Sequence, residues 1–355
     1  MPERKTYHEI ARETSAEVDK ILDAYLSDAD PHTQLLPRKR MNGNYRLRDV
    51  STRLGYEIAG GKDWNDVVPV AAAFELENCS SYVINWILDK KGEVTSEKER
   101  NNFIIAGMQL RELAHQVLVE HGLDKLVSSI SDIQQRGYRG QYADLNLLKV
   151  ENASDFPTLE SFLATYEERC TNLSGVFHAH CLFSGSIVAD KAELLLYDAG
   201  LRFGSALQST NDIGDFMPPR SDTRTAEKPY SDQFSDLRQG KLTLPVYLLY
   251  AHSPEDRVFV EERVGGTWTD YETVVDRLRA TGAFDYCYSY LRRKKNELEK
   301  HMRTNFSHTQ ERSNIIQMFA AITSNKFIYA LKNKEKELTP QAVPQSSPSA
   351  AQSAP

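Results

Sequence analysis

The sequence predicts an all-α protein, and three observations carry that prediction. Apolar residues recur at helical spacing through nearly the whole chain, convincing alternating strands are absent, and two apolar segments each carry one polar stripe. The 355 residues are 40% hydrophobic and 26% charged, enough to build a sizeable core and close to the average for soluble globular chains. The net charge of -7 is spread along the chain without a compensating basic stripe, which argues against a general nucleic-acid binder.

Taken in order, Ile10, Val18, Ile21, Leu22 and Tyr25 predict a helix over about 7–27, followed by a turn-rich loop through 44. Further helices are predicted near 46–59, 67–89, 97–120, 123–135, 159–188, 190–215, 241–251, 268–281, 283–304 and 308–332. The stretch 216–236 is the one long interior loop, and loops of that length in a compact domain are usually functional or mobile. A single domain is expected over 1–338. The remainder, 339–355, is Pro, Ser, Ala and Gln with almost no core-forming residues, and a disordered tail is expected there. The charged N-terminus lacks the apolar region of a secretory signal, and no apolar run reaches the roughly 20 residues that span a bilayer, so a cytoplasmic protein is expected. Cys79, Cys170, Cys181 and Cys287 lie far apart without CxxC spacing and read as buried, reduced thiols.

The segment 74–89 is apolar around most of its circumference, which marks a helix buried inside a bundle. Asn78, Ser81, Asn85 and Asp89 interrupt it, and at about 100° per residue they return to one direction. The segment 201–216 repeats the pattern with Gln208, Asn211, Asp212 and Asp215, while Leu201, Phe203, Leu207 and Ile213 serve the packing side. Two such helices facing each other would line a polar cavity, the way bundle cores build metal and ligand sites. The bland alternative is that these residues cap or solvate helix ends.

With these residues in view, the chain resembles the trans-isoprenyl diphosphate synthases, the polyprenyl synthetase family. AAAFELENCSSYVINWILD aligns without gaps with the helix that carries that family's first aspartate-rich motif, and ALQSTNDIGD (206–215) aligns with its second. GQYADL (140–145) is similar to the family's GQxxDL, and SDLRQGKLTLP (235–245) to its DLxxGKxTLP. The resemblance implies an isoprenoid synthase type I bundle of roughly ten or more helices around a central cavity. It also implies an allylic prenyl diphosphate held through Mg²⁺ between the two motifs, and a homodimer or a heterodimer with a paralogous prenyl synthase. The physical requirement is charge: a diphosphate leaving group needs concentrated positive charge, and carboxylates one turn apart hold the ions that supply it.

Carried over position by position, the resemblance assigns metal ligation to Asn85, Asp89, Asn211, Asp212 and Asp215. It assigns catalytic roles to Gln208, Lys228 and Lys241, and substrate binding to these three together with Arg48, Asn78, Trp86 and Thr171. The departures are as informative. In both motifs Asn stands where the family has its first carboxylate, so fewer or more weakly bound Mg²⁺ ions than the family norm are expected, because an amide oxygen brings no charge. The family's Arg-Arg-Gly after the first motif is replaced by KKGE, its upstream lysine position holds Tyr45, and its later lysine position holds Cys170. Elongation with isopentenyl diphosphate is therefore in doubt, and a different acceptor or internal cyclisation stays open. Trp86 reads either as a wall of the hydrocarbon pocket or as a core aromatic.

Other clusters carry less. His178 and His180 of HAHC point to different sides of a helix, RRKK at 292–295 reads as a solvated face, and GLRFG has no preceding strand. Two functions remain: a divergent prenyltransferase, or a non-catalytic subunit that dimerises with an active paralogue.

Overall fold

The computed structural model describes residues 5–35, 46–88, 96–216, 234–306 and 308–323. Among these, regular structure is helical throughout apart from one isolated β-bridge. Helix α1 (Tyr7–Leu26) starts at a reciprocal cap in which the Thr6 hydroxyl accepts from the Glu9 N–H while the Glu9 carboxylate accepts from the Thr6 N–H. The same device opens α4 (Glu97–Glu120) with Ser96 and Glu99, and α6 (Leu159–Cys170) with Thr158 and Ser161. Between them lie α2 (Leu47–Ile58), α3 (Val68–Leu88) and α5 (Val127–Tyr142).

Helix α5 runs into a π-helical turn, Ala143–Leu147, and α6 into a second, Thr171–Gly175, which continues without a break into α7 (Val176–Val188). The predicted helix over 159–188 is therefore two helices joined through an i→i+5 turn, a local widening that often sits beside a functional site. Helix α8 (Leu194–Gly214) follows. After the one-turn helix Ser235–Arg238 come α9 (Leu244–Tyr250), α10 (Pro254–Glu261), α11 (Tyr271–Ala280), α12 (Ala283–Asn305) and α13 (Gln310–Thr323). Helix α10 escaped the periodicity reading because it has only two turns; its start is set by the Ser253 cap and Pro254.

Helix α7 lies in the middle, packed against α2, α8, α5 and, more lightly, α3. Glycines let the backbones touch: a Cβ at Gly55 of α2 would lie 2.0 Å from the Leu182 carbonyl oxygen, and one at Gly200 of α8 would lie 2.4 Å from Ala179 Cα. Three apolar clusters surround this slab. One, around Phe74, Leu110 and Phe177, joins α1, α3, α4, α5 and α7. A second joins α6 to α9–α12, with Phe162 stacked on Tyr247 at 4.1 Å between ring centroids. The third, around Leu54, Phe203 and Phe319, closes α2, α8, α12 and α13.

All four cysteines are buried thiols and none is in a disulfide. Among the described residues no helix is long and apolar enough to cross a membrane. The predicted tail 339–355, residues 217–233 of the long loop, and the end of the predicted helix over 308–332 lie outside the described residues.

Candidate functional site

The two polar stripes have different surroundings. On α8 the stripe splits by depth: Asn211 is exposed, Gln208 and Asp215 are half-buried, and Asp212 is buried at 2% exposure. Asp212 faces inward, towards α6, where Arg169 Nη1 donates to its Oδ2 at 2.6 Å and the Tyr166 hydroxyl at 2.9 Å. Its other oxygen accepts from Gln208 Nε2 at 2.9 Å. The sequence reading grouped Asp212 with the metal ligands. Both its oxygens accept hydrogen bonds inside the bundle, where the neighbouring helix presents a buried guanidinium to it.

Arg169 continues the chain of contacts. Its Nε donates to Asp144 Oδ1 at 2.6 Å, and Lys241 Nζ lies 2.9 Å from the second Asp144 oxygen. Asp144 reaches this point because it sits in the first π-helical turn, immediately after the GQYA stretch. Lys241 reaches it through the antiparallel bridge of Lys149 with Lys241, in which Val150 N–H donates to Gly240 O and Leu242 N–H to Leu148 O, both at 2.8 Å. Gly240 makes the preceding turn at φ +68°, a conformation that disfavours any side chain. Lys241 also lies 3.6 Å from Asp236, whose backbone N–H donates to Asp215 Oδ2 at 3.0 Å; the Ser235 hydroxyl donates to Asp215 Oδ1 at 3.4 Å.

The electrostatics follow from this wiring. Burial pushes the Asp144 carboxyl up, but Arg169 and Lys241 outweigh it and hold the group below its ordinary value. For Asp236, burial and then the Asp215 carboxylate push the group up to about 8, against the pull of Lys241. Asp144 thus joins Arg169 to Lys241, Asp212 shares Arg169, and Asp236 extends the cluster from Lys241 to Asp215. Closely spaced hard oxygen donors are the donor set that Mg²⁺ takes, so the residues fit that ion. Among the described residues, however, no three His, Cys, Asp or Glu side chains stand close enough to form a metal site by themselves.

On α3, Asn78 is buried and donates to Glu75 at 3.1 Å, and the Ser81 hydroxyl donates to Glu77 at 3.4 Å. Asn85 and Trp86 are half-buried, the indole packed 4.7 Å from the Tyr82 ring and 6.1 Å from Phe103. Arg48 of α2 lies over the Phe177 ring at 4.6 Å, and Thr171 shares a 3.0 Å hydrogen bond with Ser205 of α8. Asp89, Lys228 and Tyr45 lie outside the described residues. His178 and His180 diverge as expected: His178 Nδ1 faces Ser51 of α2 at 3.4 Å, and His180 Nε2 contacts Asp132 of α5 at 2.8 Å.

Arg169, Tyr166 and Asp236 were missed in the sequence. Arg169 carried a signal, since it is a lone cation beside Cys170, where the family resemblance expects a lysine one position on.

A helical bundle with polar-striped helices packed on a central helix, and a buried carboxylate within a π-helical turn, is the architecture of an isoprenoid synthase of the all-α type. The chain belongs to the polyprenyl synthetase family, whose sequence profile it matches over residues 39–280. A search among curated proteins returns no match. Solved structures agree on the fold. A polyprenyl synthase from Caulobacter crescentus, crystallised with calcium and isoprenyl diphosphate, superposes at a TM-score of 0.77 and 18% identity, covering 92% of this chain and 100% of its own. A decaprenyl diphosphate synthase from Rhodobacter capsulatus gives 0.75 and 16%, with 90% and 99% covered. A heptaprenyl diphosphate synthase from Staphylococcus aureus gives 0.74 and 17%, with 91% and 100% covered. The family and the fold are those of prenyltransferases.

Proposed function

We propose that this chain is a divergent prenyltransferase that binds an allylic prenyl diphosphate and ionises it with Mg²⁺. The carrying observation is the Asp215–Asp236 pair, two carboxylates joined through the Asp236 N–H beside the buried Asp144–Arg169–Asp212–Lys241 network, with the Asp236 carboxyl pushed up to about 8 by burial and then by Asp215. Asn85, Asp89, Asn211, Asp212 and Asp215 are the ligands assigned to Mg²⁺, and Asp212 also braces α8 against α6. Bound there, the ion supplies charge to the departing diphosphate. Gln208, Lys228 and Lys241 are the assigned catalytic donors, with Arg48, Asn78, Trp86 and Thr171 on the substrate. The cytoplasm is the assigned compartment. Loss of the first carboxylate in each motif favours an acceptor other than isopentenyl diphosphate, including the substrate's own alkene. Incubation with Mg²⁺ and a series of allylic diphosphates tests this: diphosphate release above the uncatalysed rate supports it, and inertness towards every length refutes it.

A second reading, a regulatory subunit, is favoured by one further observation. Ile105 and Met108 of α4 and Tyr142 of α5 are about 60% exposed, and Arg111 of α4 reaches across to the Tyr138 hydroxyl of α5. This apolar face suits a second protomer, either a copy of this chain or a paralogue. Co-expression with an active paralogue separates the two, since a regulatory subunit forms a mixed dimer with an altered product, whereas an enzyme acts alone.

A further inference from the structure

A second pair of buried acids lies apart from the Arg169 network, in the seam between α2 and α3. Asp49 of α2 has no exposed surface, and among the described residues neither of its oxygens has a hydrogen-bond partner. Arg46 Nη1 stands 3.6 Å from its Oδ2, but that guanidinium is already engaged by Asp19 of α1 and by the Ser15 carbonyl. Across the seam is Glu75 of α3, 3% exposed, whose Oε2 accepts from Asn78 Nδ2 at 3.1 Å. Burial first, and then the Glu75 carboxylate, raise the Asp49 carboxyl well above its ordinary value. A buried polar group without a hydrogen bond is costly, and a like charge beside it adds to the cost.

The pair meets the groups assigned to substrate. Asn78 bonds Glu75 directly, and Arg48, Glu75 and Asp49 all act on the Cys181 thiol of α7: burial raises that thiol, Arg48 opposes the rise, and the two acids add to it. The Arg48 guanidinium lies over the Phe177 ring. Tyr45 and Cys170 occupy two positions where the family resemblance expects lysines. Carboxyls have been added to this region and cations taken away, the reverse of what a second diphosphate needs. A primary ammonium carries one positive charge and three N–H donors, so it can give Asp49 the partner it lacks and stand between the two acids.

We propose that the acceptor is a primary amine, held through its nitrogen by Asp49 and Glu75 beside Asn78. The proposal rests on the prenyl-diphosphate reading above and names the acceptor that takes the place of isopentenyl diphosphate. In the transfer, the bound ammonium gives one proton to the Asp49 carboxylate. The nitrogen lone pair then forms a C–N bond to C1 of the allylic chain as the C1–O bond to diphosphate breaks, and a second proton passes from nitrogen to Glu75, leaving a secondary amine and free diphosphate.

Isopentylamine, an ammonium on the carbon skeleton of an isoprene unit, and isopentyl alcohol, its neutral counterpart, are titrated calorimetrically into the intact protein at neutral pH. The amine should bind about tenfold more tightly than the alcohol, and Asp49→Asn and Glu75→Gln should each remove about tenfold of the amine affinity while leaving the alcohol unchanged. Two single variants keep the test decisive if one of them does not fold. Because the ammonium converts Asp49 to a carboxylate, amine binding should release a proton, read as a heat that varies with the ionisation enthalpy of the buffer. That release should vanish in Asp49→Asn, a change that altered packing alone does not produce. With geranyl diphosphate and Mg²⁺, mass spectrometry should find N-geranyl isopentylamine. An amine bound no better than the alcohol, affinity indifferent to both substitutions, or diphosphate release without the N-alkylated product overturns the proposal and leaves the enzyme reading standing. Amine binding with proton release, but no diphosphate release from any allylic diphosphate, upholds the cation site and refutes the enzyme reading.

Discussion

Arg169→Leu puts the buried network to a quantitative test. The guanidinium is 4% exposed and bonds Asp144 and Asp212, which are 3% and 2% exposed. Removing one partner of such a buried pair costs about 3–5 kcal/mol, because the charge left behind stays desolvated. The lower end applies, since Asp144 retains Lys241 and Asp212 retains Tyr166 and Gln208. With an m-value of about 3 kcal/mol/M, a loss of about 3 kcal/mol moves the urea midpoint down by about 1 M. The pH dependence has a definite sign. In the wild type Asp144 is held below its ordinary value, so its contribution is present above the unfolded pKa of about 3.9 and is lost as pH falls through the folded value. Without Arg169 the folded Asp144 carboxyl takes a proton more readily, and the variant recovers relative to the wild type as pH falls. The difference in midpoint should therefore be largest near pH 7 and should shrink towards pH 4. A variant within about 1 kcal/mol of the wild type at pH 7, or a gap that does not change with pH, would show that the network contributes nothing of this kind.

Three further predictions concern other parts of the molecule. Asp49 of α2 is fully buried and pushed well up, by burial first and then by Glu75. Its folded pKa thus exceeds the unfolded one, so the group costs stability increasingly as pH rises above about 4; Asp49→Asn should gain about 1 kcal/mol in urea unfolding at pH 8 and less at pH 5, and a loss at both values contradicts this. Asn211→Asp restores a carboxylate at an exposed position and should tighten Mg²⁺ about tenfold in thermal-shift titrations; unchanged affinity removes Asn211 from the metal site. Met108→Glu, on a side chain 62% exposed, should give monomers in sedimentation while stability changes by no more than about 0.5 kcal/mol; an unaltered sedimentation coefficient relocates the interface.

The fold was legible because the bundle is built from amphipathic and buried helices whose periodicity is carried by side-chain type. Helix α4 appears at the predicted bounds, 97–120, since Ser96 and Glu99 mark its start and its apolar residues keep their spacing to Glu120. The π-helical turn at 171–175 was not legible: Thr171 to Gly175 have the composition of an ordinary helical turn, and the extra residue shows only in the backbone. The same holds for the site. Gln208 and Asp215 could be read from their spacing, but the inward turn of Asp212 depends on Arg169, which lies 43 positions earlier. Glu77 passed unnoticed because a carboxylate on an apolar helix has meaning only through Gln134, 57 positions away.

The turn at 171–175 gives the joined helices α6 and α7 an unusual tolerance. In an unbroken helix, removing one residue swings everything beyond it by about 100° about the axis; such a loss from α4 would point its inner face outwards. A π-helical turn already holds one residue more than an α-helical path needs. Excising Leu173 would let the segment relax into regular geometry with Arg169 and His178 still aimed as they are, so the chain carries a spare link at the joint between its ionic network and its central helix.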